Sequence, residues 1–186
     1  MKNLSLHVVQ YTASLEGMVQ EMYLDSEGVA TWALGVTNKS GHQVNPRYKD
    51  NPQPLQKCCD VSVWLMREAY LPSVLRAFKG YDLNEAELAA ALSFQWNTGS
   101  IEKTEWVSLV KHGQREAAKK FLKTHYLNNG TLTSRRASEA ALFFDEVWPH
   151  SMLVPIYPVR KPSYAPNFAK GRLVDLTREI TEALSK

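Results

Sequence analysis

The chain has 186 residues, of which 44% are hydrophobic and 22% charged, with a formal net charge of +3. These values exclude a disordered or fibrous chain and suit one globular domain, or one domain built as two lobes, large enough to bury a core without disulfides or metals. The charge is uneven: residues 111–186 hold 13 basic and 7 acidic side chains, which suits an anionic polymer as partner and equally suits a solvated surface. The two cysteines, Cys58 and Cys59, are adjacent. Neighbouring residues rarely bridge each other, and there is no CxxC spacing or paired histidine for a metal. They read as small, partly buried thiols on a helix, in a chain folded under reducing conditions.

In chain order, residues 1–10 carry no unbroken apolar run of signal-peptide length, and no stretch approaches the ~20 apolar residues of a membrane span. Leu4, Val8, Tyr11 and Leu15 fall at helical spacing, which predicts a first helix from about Asn3 to Glu16, stopped by Gly17. Tyr23 to Gly28 ends in a turn signal, Val29 to Val36 is β-prone, and Lys39 to His42 is a second turn. Together they predict a small antiparallel sheet of two or three strands. Pro46 to Pro54 reads as a loop. The pattern then predicts a helix over Gln56 to Tyr70, with Pro72 opening a short one. A further helix starts at Asn84, where Glu87 completes a capping box. Gly113 to Tyr126 and Ser134 to Trp148 are two more. Residues 149–169 are proline-studded and read as an extended strap, followed by an amphipathic helix from Arg172 to Ser185. One helix, a small sheet and then many helices make an α+β fold with the sheet at one end. A cleft between a small β lobe and a larger helical lobe is a natural seat for a long polymer.

Glu16, Asp25 and Thr31 are the candidate chemical group. Glu16 ends the first helix, where the helix dipole disfavours a charged carboxylate and partial burial acts in the same direction. A glutamate kept protonated is what a glycosidic oxygen needs as proton donor. Asp25 precedes a tight turn, a more open setting that suits an ionised carboxylate. Thr31 on the return strand would face it and hold a water. Each residue taken singly also has an ordinary reading, as helix-end glutamate, turn former and strand residue.

The spacing separates these readings. Glu16-Gly17, Tyr23, Asp25, Gly28, Thr31 and Gly35 resemble the catalytic segment of phage-type lysozymes (glycoside hydrolase family 24), which runs Glu-Gly, Tyr-x-Asp-x-x-Gly, Thr-x-Gly-x-Gly. Two later segments resemble the family in the same order: Ala91-Leu92-Ser93-Phe94-Gln95-Trp96-Asn97-Thr98-Gly99 and Leu132-Thr133-Ser134-Arg135-Arg136-Ala137-Ser138-Glu139-Ala140-Ala141-Leu142-Phe143. The likeness spans residues 4–148. Ala33 departs from it, standing where the family has the first glycine of its last motif, and residues 38–54 have no clear counterpart.

The resemblance implies a lysozyme-like fold, with a catalytic domain over residues 1–148, a β lobe over about 17–50, and a helical lobe over about 55–148 plus the first helix. Residues 149–186 would be a strap and helix packed on the same domain. It implies a muramidase that hydrolyses the β-1,4 bond between N-acetylmuramic acid and N-acetylglucosamine in peptidoglycan. Glu16 would be the general acid, Asp25 the carboxylate on the opposite face of the sugar, and Thr31 a water-positioning hydroxyl. Trp96, Asn97 and Glu27 would contact glycan, with core packing as the other reading of Trp96. Arg136, or else Arg135, would lie near Glu16, the other reading being a solvated helix face. No metal or cofactor is expected, since the five histidines lack ligand spacing. A monomer is expected, made in the bacterial cytoplasm without a signal peptide and acting on the periplasmic wall after release, without membrane insertion. A lytic transglycosylase needs the acid but not the second carboxylate, so Asp25 and Thr31 favour hydrolysis. A wall-binding module that has lost catalysis is disfavoured by the intact carboxylates. A nucleic-acid binder is disfavoured because no such motif is present.

Overall fold

The computed structural model describes residues 4–186. The expected start of the first helix at Asn3 lies outside them. The chain forms two compact units, one of residues 66–151 and one of Leu4–Leu65 with Met152–Lys186.

In the second of these, helix α1 spans Leu6–Glu16 and is capped by Ser5, whose Oγ accepts from the Val8 N–H at 3.3 Å. Val8, Val9, Tyr11 and Ala13 are buried. The helix stops at Gly17, which has φ of +74° and donates its N–H to the Ala13 carbonyl. Three antiparallel strands follow, β1 at Val19–Leu24, β2 at Ala30–Ala33 and β3 at Val36–Thr37. Tyr23 pairs with Thr31, and Thr31 with Thr37. Trp32 is fully buried, donates Nε1–H to the Gln20 carbonyl at 2.9 Å and stacks on Tyr48 at 3.9 Å. Ala33, which replaces a glycine of the resembled motif, takes the left-handed φ of +52° that a glycine would adopt without strain.

Helix α2, Leu55–Leu65, packs on the C-terminal helix. Gln56 joins the two by donating to the Glu179 carbonyl at 3.0 Å. Cys58 and Cys59 are buried on α2 and unbridged, and burial pushes both thiols up, Cys59 to about 12.

In the 66–151 unit, the helix expected through Tyr70 changes winding, with Met66–Tyr70 running as a π-helical segment. Helix α3, Leu71–Ala77, has Pro72 in its first turn. Helix α4, Glu85–Thr98, has the expected capping box: Asn84 Oδ1 accepts from the Glu87 N–H at 2.8 Å and Glu87 Oε2 from the Asn84 N–H at 3.1 Å. Helix α5, Glu105–Lys111, was not foreseen, because its seven residues bury only Trp106, Val107 and Val110. Helices α6, Arg115–Thr124, and α7, Thr133–Asp145, are shorter than their spacing predicts. Trp106 centres the core, edge-on to Phe94 at 5.5 Å and to Phe143 at 5.1 Å.

The strap contains strand β4, Val154–Ile156, which pairs with β5, Arg172–Val174. Residues 172–174 are therefore strand, and the last helix, α8, spans only Thr177–Leu184. Asp175 forms a turn just before it: its Oδ1 accepts from the Thr177 N–H at 2.8 Å, two residues on.

Helices α4 and α7 are joined by buried charge. Glu139 Oε1 accepts from Ser93 Oγ at 2.6 Å and Arg135 Nε at 3.0 Å, while Oε2 accepts from Arg136 Nη1. Burial pushes the Glu139 carboxyl up and the two guanidiniums pull against it. Removing that carboxylate takes from two buried cations the counter-charge it supplies. Glu139→Ala is expected to cost roughly 3–5 kcal/mol in urea denaturation; a loss below about 1 kcal/mol would show that the network contributes little.

Candidate functional site

Glu16 and Asp25 line one cavity of about 380 Å³ together with Gly17, Tyr23, Ser26, Tyr157 and Phe168. Helix α1 brings Glu16 to its wall because the chain must leave the helix at Gly17. Met18 then enters a parallel bridge with Ile156, its N–H donating to the Pro155 carbonyl at 2.7 Å and its carbonyl accepting from the Tyr157 N–H at 2.9 Å. A side chain at position 17 would come within 2.8 Å of the Tyr157 ring. Glycine is therefore required there twice, by the left-handed φ and by the approach of that ring.

Asp25 is held by its own turn. Its Oδ1 accepts from the Glu27 and Val29 N–H groups, each at 2.9 Å, and its carbonyl accepts from the Gly28 N–H at 3.0 Å. Its other oxygen, Oδ2, faces Thr31, whose Oγ1 lies 3.4 Å away and also donates to the Val29 carbonyl at 3.0 Å. Thr31 is 3% exposed. Tyr23 stands in the same cavity, and its hydroxyl is pushed up by burial, then by the negative charges of Glu16 and Asp25. The two carboxylates thus act electrostatically on one phenol.

Glu27 sits on the exposed face of the turn and does not line this cavity. Trp96, Asn97 and Arg136 belong to the 66–151 unit. Trp96 is half-buried beside Tyr70, ring centres 4.4 Å apart. Asn97 is half-buried, and its Oδ1 accepts from Arg136 Nη2. Arg136 is fully buried and its guanidinium lies 5.0 Å from the Phe94 ring centre. Arg135 is buried as well, donating to the Ser93 carbonyl at 2.9 Å. The solvated-face reading of both arginines therefore fails, because α7 packs this edge against α4, where Ser93 and Asn97 accept from them and Glu139 of the same helix supplies the counter-charge.

Sequence reasoning missed Tyr157, Ala165, Pro166 and Phe168, the strap residues that complete the cavity wall. Their local signal is only proline and aromatic content; the pairing that places them is with Met18, far away in sequence. Among the described residues no helix is long and apolar enough to cross a membrane, and no three His, Cys, Asp or Glu side chains gather in a group that could hold a metal ion.

The Phage lysozyme family profile matches residues 13–139. A sequence search of curated proteins returns no match. Among solved structures, the chain resembles the endolysin from Escherichia coli O157:H7 phage FAHEc1, with a TM-score of 0.62 at 18% identity over 80% of this chain and 97% of that one. It resembles P22 lysozyme with a TM-score of 0.60 at 21% identity, over 77% and 99% of the two chains. The muramidase domain of SpmX from Asticaccaulis excentricus gives 0.61 at 19% identity, over 80% and 100%. At these identities the structural likeness establishes a lysozyme-like fold.

Gly17 offers a test of how the site is held. Gly17→Ala is expected to lower stability by roughly 1–3 kcal/mol through the strained φ and the displaced Tyr157 ring. An unchanged urea midpoint would mean that the ring and the helix end do not depend on each other.

Proposed function

The chain belongs to the phage lysozyme family, whose members are peptidoglycan hydrolases, and from that premise we propose that it cleaves the β-1,4 bond between N-acetylmuramic acid and N-acetylglucosamine by general acid catalysis with direct attack of water. The observation that carries this reading is the shared cavity of Glu16 and Asp25, with Thr31 Oγ1 3.4 Å from the Asp25 oxygen that its turn leaves available.

In this mechanism Glu16 delivers its proton to the glycosidic oxygen as the bond to the anomeric carbon breaks. Asp25 Oδ2 and Thr31 Oγ1 orient one water on the opposite face of the sugar. As that water attacks, its proton passes to Asp25 and positive charge on the ring collapses into a new C–O bond with inverted configuration. The turn hydrogen bonds on Oδ1 fix the carboxylate so that only Oδ2 turns to the water, which is positioning achieved before substrate binds.

Asn97 is assigned to the substrate's N-acetyl group. With Oδ1 engaged by Arg136, its amide N–H groups are the atoms left to donate, and an acetamido carbonyl is their complement. Arg136 acts through Asn97 as a positioning residue. Trp96 supplies an aromatic surface for glycan, and Glu27, on the exposed turn, contacts glycan or its peptide.

Glu16→Gln should lower the rate of wall lysis by about 10²-fold or more without unfolding the chain, because glutamine has no acidic proton. More than about a tenth of the original activity would remove Glu16 from the acid role. Proton NMR of the early product decides the second step: the α anomer is expected first, and prior appearance of the β anomer would mean a covalent intermediate rather than direct water attack.

A further inference from the structure

The strap that closes the cavity lies beyond the stretch matched by the family profile, which ends at residue 139. It places two aromatic rings beside the carboxylates. Tyr157 is clamped between two glycines: side chains at Gly17 and Gly171 would come within 2.8 and 2.5 Å of its ring carbons. Phe168 packs edge-on against it, ring centres 5.0 Å apart at 76°. Phe168 is nevertheless 66% exposed, a large apolar residue on the wall of the cavity that holds Glu16 and Asp25.

Packing does not account for that exposure. The segment is already tied down without Phe168, by the Met18–Ile156 bridge, by a hydrogen bond of 2.8 Å from the Leu24 N–H to the Tyr164 carbonyl, and by the bridge between Val159 and Pro166. An anchored wall that presents a free aromatic face next to two carboxylates is the arrangement that receives a sugar, whose axial C–H groups form an apolar face while its hydroxyls stay wet.

We infer that Phe168, braced by Tyr157, is a glycan-binding platform on which a pyranose ring of the peptidoglycan strand stacks next to the scissile bond. The inference rests on the proposed glycosidase reading for its substrate. Its residues are supplied by this chain's own C-terminal segment.

Because Phe168 is exposed, its substitution should leave the melting temperature unchanged. With purified, solubilised peptidoglycan glycan, Phe168→Ala is expected to raise KM about 3–10-fold with kcat within about 2-fold, the range of one aromatic contact. Phe168→Trp should restore KM, while Phe168→Leu, with apolar bulk but no ring face, should not. An unchanged KM in Phe168→Ala, or equal rescue by Leu and Trp, overturns the platform. Binding of a soluble N-acetylglucosamine–N-acetylmuramic acid tetrasaccharide to the Glu16→Gln chain, measured by calorimetry with and without Phe168→Ala, reads the same contact without turnover. If the unaltered chain releases no glycan fragments, the glycosidase reading fails, and the calorimetry still decides: Phe168-dependent binding supports the platform and Phe168-independent binding, or none, overturns it.

Discussion

The close approach of Gly17 and Tyr157 is the constraint on which the site depends. Helix α1 must end there, because only glycine combines the left-handed φ with room for the ring. Ending there, it leaves Glu16 on the wall of the cavity and passes Met18 directly into its bridge with Ile156. Ile156, the residue that Met18 bridges, is the last of β4, which pairs with β5. A Cβ at position 17 would disturb the acid, the first residue of the sheet segment and the far wall together.

The two ends of the proposed reaction are positioned by different physics. Asp25 is fixed locally, by N–H groups within four residues of it, so its geometry is set by a short turn that Gly28 allows. Asn97 is fixed at long range, through Arg136 to a Glu139 carboxylate with no solvent exposure. Buried charge of this kind is costly to assemble; here it holds the amide of Asn97, the residue proposed to contact glycan, and ties α7 to α4 through Ser93.

Much of this was legible in the sequence where the cause is local. Gly17 marks the end of α1, Asn84 with Glu87 marks the start of α4, and the Asp25–Gly28 turn is visible in its own residues. The proposed catalytic trio, Glu16, Asp25 and Thr31, is distinctive only through its spacing, since each member has an ordinary role alone. Ala33 was a mismatch in the motif and proves to keep the backbone shape of the residue it replaces. The failures are non-local or subtle. The apolar pattern after Arg172 reads as helix, but its first residues pair with β4, far away in sequence, and the Asp175 turn separates them from α8. Arg135 and Arg136 resemble a solvated helix edge until the burial of Glu139 is known. The aromatic wall of the cavity has no trace near Glu16, because it depends on a pairing between residues 18 and 156.

The central claim is that this chain cuts glycan with water as the nucleophile. Purified peptidoglycan digested in water enriched in oxygen-18, with the fragments weighed by mass spectrometry, tests it directly. The account predicts muropeptides ending in a reducing N-acetylmuramic acid that carries one heavy oxygen from the solvent. Anhydro-ended fragments without solvent oxygen would make the chain a transglycosylase, and the absence of any fragment would make it a binding module; either result would contradict the account.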